Sequence, residues 1–271
     1  MKVGRFFRTP KGLLIIVLAL LSAVAALGEG VMLVLPGLFA GVAAAMLVDV
    51  SILWMRKGKW IFPDGALLTG LIVAMILSPR EPWYVTAITS AIGVVSKYLF
   101  RVRTANVFNP AALALVATFY VFDTAQSWWG ALSEIPPVAS VVLLATGAFI
   151  AQRVNKIPVM LAFLGSYYLL FTITALVGDP AKVAELYVAP DVQTALFFAF
   201  FMVTDPPTSP PGHRDQVVYG VITGVVSYAA FELIGAAYYL LAGLLVANVW
   251  EAWRRHAAAA SFRGVLLQNH G

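Results

Sequence analysis

Apolar residues in this chain run in blocks rather than stripes. Long stretches almost free of charge alternate with short joints that collect the lysines, arginines, prolines and acids. A bilayer core about 30 Å thick takes roughly 20 apolar residues per helix. On that ruler the blocks predict ten membrane-crossing helices near residues 12–28, 31–55, 64–78, 84–100, 109–122, 137–152, 158–177, 191–205, 216–234 and 236–252. The class is an all-α integral membrane protein.

The joints orient the chain. With the N-terminus cytoplasmic, the inner connections hold Arg56, Lys57 and Lys59, then Arg101 and Arg103, Arg153 and Lys156, His213 and Arg214, and Arg254, Arg255 and Arg263. The outer ones hold Asp123 and Glu134, then Asp179, Lys182, Glu185 and Asp191. Positive charge stays inside, so both termini are expected in the cytoplasm of a multi-pass inner-membrane protein. Trp54, Trp60, Trp83, Tyr84, Trp128, Trp129, Tyr187, Tyr238 and Trp250 fall near segment ends, where an aromatic belt is expected. The basic start (Lys2, Arg5, Arg8, Lys11) followed by Leu13–Leu27 is read as a retained first helix rather than a leader.

Composition sharpens the class. Of 271 residues, 61% are hydrophobic and 11% charged, against about 25% charged in soluble domains. There is no cysteine, which excludes disulfides and thiolate-held clusters or zinc. The net charge of +5 sits at helix ends as cytoplasmic anchoring and does not suggest nucleic acid; the partner it implies is lipid. His213, His256 and His270 lie in joints or the tail, which disfavours a haem held by intramembrane histidines. No phosphate-binding, dinucleotide, nucleophile-elbow or zinc-protease motif occurs.

A repeat organises the ten segments. Pro63-Asp64 and Ser78-Pro79 bracket the third, and Pro190-Asp191 and Asp205-Pro206 bracket the eighth, an offset of 127 at both ends. Gly93-Val94-Val95-Ser96 returns as Gly224-Val225-Val226-Ser227, and Val31-Met32-Leu33 with Gly37 returns as Val159-Met160-Leu161 with Gly165. Five crossings per half make the halves inverted copies: a cytoplasmic tail 1–11, repeat one over 12–130, repeat two over 131–255 and a cytoplasmic tail 256–271. At 1.5 Å per residue, the third and eighth segments each reach only about 22 Å. Short, proline-bounded segments at matching places in inverted halves point to a central site lined by helix ends, although two short tilted helices inside the bundle would read the same way.

Charge at membrane depth is a functional signal by default. It singles out Asp49, Lys97, Asp205 and Glu232. Lys97 also reads as a side chain snorkelling to headgroups, and Asp205 as an ion-path or loop-structure residue, the two roles also open to Asp49. The run from Thr204 and Asp205 through Thr208 to Gly212 holds four prolines, a stiff loop suited to presenting Thr204 and Thr208 to a ligand. Asn109 before Pro110 is a helix N-cap. Asn106, three residues earlier, has no such explanation, and two carboxamides beside a helix start suit the polar edge of a flat heteroaromatic ring.

Three stretches together resemble the RnfD/NqrB family, the membrane flavoprotein subunits of the Rnf complex and of the sodium-pumping NADH:quinone reductase. They are Phe62 to Gly70, Asn106-Val107-Phe108-Asn109-Pro110-Ala111-Ala112, and Ala199 to Pro206. The resemblance runs from about residue 31 to 255. It implies a ten-helix, urea-transporter-like fold, electron transfer through flavin and coupling to Na⁺ or H⁺ movement. It also implies that Asn106 and Asn109 lie near a non-covalent riboflavin on the cytoplasmic side; the chemistry of the residues themselves adds Phe108, Lys97, Thr204 and Thr208 to the expected site of riboflavin or FMN. Implied partners are a cytoplasmic flavin or iron–sulfur reductase and other membrane subunits. The chain departs from the family between the fifth and sixth segments, where Asp123 to Glu134 lacks the threonine motif that carries covalent FMN. A non-covalent flavin only is therefore expected. A transporter or channel for a small solute or for flavin itself, and a structural subunit, are the competing readings. The charge pattern makes one topological prediction: a reporter fused within residues 179–190 should report the outer side of the membrane, and a cytoplasmic signal would refute the orientation.

Overall fold

The computed structural model describes residue 6 and residues 8–102, 105–132 and 136–268. Lys2, Arg5, Arg103, Glu134 and His270, weighed above, lie outside them. The described chain is helical nearly throughout, in the order α1 (Pro10–Glu29), α2 (Val31–Lys57), α3 (Asp64–Ile76), α4 (Trp83–Leu99), a hairpin of β1 (Arg101–Val102) and β2 (Ala105–Asn106), α5 (Pro110–Phe122), α6 (Pro136–Arg153), α7 (Ile157–Val177), α8 (Asp191–Phe198), α9 (His213–Ala229) and α10 (Tyr239–Gln268). Wide π turns prolong α8 over Ala199–Val203 and α9 over Ala230–Ile234.

Local chemistry sets the helix starts. Proline supplies the first turn of α1, α5 and α7, where no amide is needed. The Thr9 hydroxyl accepts from Gly12 N at 3.2 Å and Asn109 Oδ1 accepts from Ala112 N at 3.1 Å, each capping its helix. Many large apolar side chains face outward, Met32 at 86% and Leu176 at 80% exposure among them, as a lipid-facing surface requires. The chain is an all-α, multi-pass membrane protein. Among the described residues four helices are long and apolar enough to cross a bilayer, and a bent pair, Pro180–Tyr187 with Asp191–Val203 at 63°, makes a fifth. Length alone therefore does not deliver the ten crossings expected from sequence, because α3 and α5 have 13 residues each and reach only about 20 Å.

Packing repeats between the halves. In the first, α2 packs on α4, α4 on α5 and α1 on α3; in the second, α7 packs on α9, α9 on α10 and α6 on α8. Contacts between halves include α1 with α6 and α5 with α10. Small residues allow the closest approaches. A Cβ on Gly220 would lie 2.5 Å from Val159 O and 2.8 Å from Ala162 Cβ, so α9 touches α7 through glycine.

The end of α3 lies inside the protein, and the loop after α5 folds back to satisfy it. Trp129 Nε1 donates to Ala74 O at 2.6 Å, and the amides of Ser127 and Trp128 donate to Ile76 O at 3.0 and 3.1 Å. This corrects the aromatic-belt expectation for Trp128 and Trp129, which are buried: the Trp129 ring edge serves a helix end, and the Trp128 ring packs edge-on against Phe197 and Phe198. The last helix, α10, runs unbroken to Gln268, through most of residues 256–271. Alanine at 257–260 is the best helix former and continues the helix without a stop signal.

The glycine contact yields a stability prediction. Gly220→Ala must push backbone atoms apart and should cost about 1–3 kcal/mol, lowering the thermal midpoint in detergent, whereas Gly165→Ala, with nothing within 4 Å of its Cβ, should leave it unchanged. Equal midpoints would refute the contact.

Candidate functional site

Seven helices present alternate ends to one cavity of about 620 Å³. The starts of α1, α3 and α5 and the finishes of α2, α4, α6 and prolonged α8 meet there. Its walls include Leu14, Leu53, Leu68, Ile72, Ile150 and Phe201, with Asp49, Asp64, Lys11, Lys97, Arg101, Asn106, Asn109, Thr204 and Asp205 set among them. Most of the residues singled out by sequence thus converge, though they come from positions 49 to 205 of the chain.

Each polar group is held by its element. Asp49, 5% exposed, accepts from the Tyr98 hydroxyl at 2.7 Å and pairs with Lys97 at 3.4 Å. The Arg56 guanidinium lies 4.8 Å over the Tyr98 ring. Lys97 therefore does not snorkel. It turns inward because a carboxylate from the facing helix is within reach, and removing one member of such a pair strands the other charge. At the cavity mouth Lys11 pairs with Asp64 at 3.4 Å. Three carboxylates, from Asp49, Asp64 and Asp205, and three cations, from Lys11, Lys97 and Arg101, line one chamber.

The two asparagines have different jobs. Asn109 caps α5 with its side-chain oxygen while its backbone amide donates to Asn248 Oδ1 at 2.7 Å. Asn248 and Tyr219 are fully buried, and Asn248 Nδ2 donates to the Tyr219 hydroxyl. Asn106 sits in the hairpin opposite Arg101 and lines the cavity. The hairpin after α4, which the apolar pattern did not signal, is what carries Asn106 to this wall.

Not every expected residue reaches the cavity. Phe108 packs edge-on against Phe100, centroids 5.7 Å apart, and is not among the lining residues. Thr208 is buried and its hydroxyl donates to Asp205 Oδ2 at 2.8 Å, so it shapes the loop. Thr204 lines the cavity, but its hydroxyl donates back to Phe200 O. Glu232 pairs with Lys182 on the other side of the protein. Tyr98 and Asn248 were missed by weighing only formal charge at membrane depth; an asparagine inside the apolar run of α10 was the available signal.

No cluster of three or more metal-ligating side chains occurs among the described residues. The chamber instead combines an apolar body with a few fixed polar groups, at a size within the roughly 300–1,000 Å³ of small-molecule sites.

The chain is similar to a subunit of the ion-translocating oxidoreductase complex of Ectopseudomonas mendocina, 28% identical over 288 residues covering 82% of each chain. The subunit of the same name from Methanosarcina acetivorans is 30% identical over 238 residues, 80% of each chain. The one from Aliivibrio salmonicida is 31% identical over 98 residues, 35% of this chain and 28% of that relative. The profile of the NQR2, RnfD, RnfE family matches residues 8–135 and 130–251, and the chain belongs to that family.

Proposed function

We propose that this protein is a redox subunit of an ion-translocating complex in the inner membrane, and that it holds riboflavin or FMN non-covalently in the cytoplasmic cavity. The observation that carries the reading is the convergence of Asn106, Asn109, Lys97 and Thr204 on one chamber. The names of the relatives, each a subunit of an ion-translocating oxidoreductase complex, support the redox role and the presence of other membrane subunits. Electrons come from a cytoplasmic flavin or iron–sulfur reductase. Movement of Na⁺ or H⁺ is coupled to their passage.

The chamber's own residues fit such a ring. A bound flavin would supply one- and two-electron chemistry. Ile72, Ile150 and Phe201 offer apolar faces, and the Asn106 carboxamide offers a donor and an acceptor to a pyrimidine edge. Lys97 and Arg101 favour the added negative charge of a reduced ring and raise its potential, whereas Asp49 and Asp205 oppose it and are better placed for the ion path or loop structure. The motif for covalent attachment is missing, so the ring is expected to leave on denaturation.

The same reading takes the chain through the membrane ten times as two inverted halves with both termini inside. The matching pairings within each half support this, as do the contacts of α1 with its counterpart α6 and of α5 with α10. Self-paired contacts are what a two-fold axis in the membrane plane would make. The short helices α3 and α8 also favour a second reading, a passage for a small solute, because paired half-helices frame midplane transport sites. A colourless protein that moves solute into liposomes would establish that reading instead.

The test is flavin content. Purified wild type should carry visible flavin absorbance, released on denaturation. Asn106→Ala should lose about ten- to a hundredfold in affinity, the equivalent of roughly 1–3 kcal/mol for one unmet buried partner. Asn109→Ala should lose flavin too, together with some stability from its cap, while Asn155→Ala, outside the cavity, should retain it. Full flavin in Asn106→Ala and Asn109→Ala, with loss only on changes in the outer loops, would place the ring elsewhere.

A further inference from the structure

Behind the Asp205–Pro207 wall sits a cation that the flavin reading does not use. Lys156 closes the joint between α6 and α7, and only 4% of it is exposed. Its ammonium donates to Ser209 O at 3.3 Å and to Pro210 O. Among the described residues it forms no ion pair. From the other side Arg255 donates to Pro207 O at 2.9 Å and to Ser209 O at 3.2 Å. Arg255 is neutralised by Glu251 at 2.7 Å, a carboxylate 1% exposed. Two cations thus hold one proline-rich loop by its carbonyls, and only Arg255 is paired with a carboxylate, which it shares with Arg254 at 2.8 Å.

We propose that Lys156 is a proton-linked latch on the cavity wall: swinging the 205–211 loop away from α7 and α10 returns the amine to water, so opening the wall takes up a proton. Neutral carbonyls solvate an ammonium less well than water does, and an ammonium buried without a carboxylate partner is pushed towards its neutral form. The groups facing it are Asp205 on the loop and Arg255 and Glu251 on α10, while His213, at the start of α9, contacts the adjacent Asn155 at 3.3 Å. Burial lowers the Lys156 pKa to about 8; Arg255 adds to the lowering, and Asp205 and Glu251 oppose it.

The sign follows from which state binds more protons. With the loop closed the amine titrates near 8, and with the loop open it returns towards the usual lysine value of about 10.4. Between those values the open state carries the extra proton. Opening is therefore pH-independent below about 8 and becomes harder by about tenfold per pH unit above it. Asp205, Pro206 and Pro207 line the cavity, so the latch deepens the reading of that cavity as a ligand site: above about pH 8, exposure of a bound ring to the cytoplasm and protonation of Lys156 become one event.

The chain has no cysteine, so a single reporter can be placed in it. Ser209→Cys puts a thiol at a residue 1% exposed while keeping the carbonyl that Lys156 and Arg255 hold. Its rate of reaction with a methanethiosulfonate is divided by that of a Lys59→Cys reference, an exposed site, to cancel thiol ionisation. Protection of the introduced thiol should rise about tenfold per unit from about pH 8 to about pH 10. With Lys156→Met, or with Lys156→Arg, whose guanidinium stays charged, protection should be flat over that range. A flat profile in the otherwise unaltered reporter protein, or an unchanged slope in either lysine variant, would overturn the latch, and Lys156→Arg carries the comparison if Lys156→Met does not fold. Riboflavin titrated into the same samples separates the two readings. A slope without riboflavin binding leaves the latch and removes the flavin; binding without a slope does the reverse.

Discussion

Backbone amides and carbonyls that end a helix inside a membrane protein have no water to turn to, and this structure is arranged around that constraint. The helix α3 stops after 13 residues, and the loop following α5 enters to meet its last carbonyls with two backbone amides and the Trp129 indole. At the end of α8 the π turn, the Thr204 hydroxyl on Phe200 O and the Ser209 hydroxyl on Asp205 O perform the same service. Short helices therefore bring their own polar plugs. The cavity exists because the starts of α1, α3 and α5 and these shortened ends cannot close against one another.

The same constraint explains what was legible in the sequence. Proline before aspartate at 63–64 and 190–191 marked the starts of α3 and α8, and Asn109-Pro110 marked α5, because proline and capping residues act locally. Given those starts and alternating crossings, Asn106, Lys97 and Thr204 had to fall on one side. Their meeting in one chamber needed the packing of α2 on α4 and α3 on both, which no local signal encodes. Trp128 and Trp129 illustrate the limit. A tryptophan near a segment end looks alike to hydropathy whether it faces headgroups or donates to a buried carbonyl. Asn248 stood out as an asparagine in an apolar run, but its partners were illegible, because Asn109 and Tyr219 lie 139 and 29 residues away.

Charge is handled differently at the two walls of the chamber. On one, Asp49 and Lys97 neutralise each other and Tyr98 adds a hydrogen bond to the carboxylate, a closed set that fixes α2 against α4. On the other, Lys156 meets only carbonyls while its neighbour Arg255 has Glu251. A buried ion pair resists rearrangement because separating it leaves two unsolvated charges. A lone ammonium has the opposite tendency, since leaving its pocket gains water. One wall is built to stay and the other to move.

The bond from the Asn109 amide to Asn248 has a consequence for how the protein is made. Asn109 opens the last helix of the first half, and Asn248 lies in the last helix of the second. Synthesis proceeds from the N-terminus, so α5 is made long before its acceptor has been translated. Until α10 arrives, that amide must borrow a partner from lipid headgroups, water or the insertion machinery. The chamber floor is consequently among the last parts of the molecule to set.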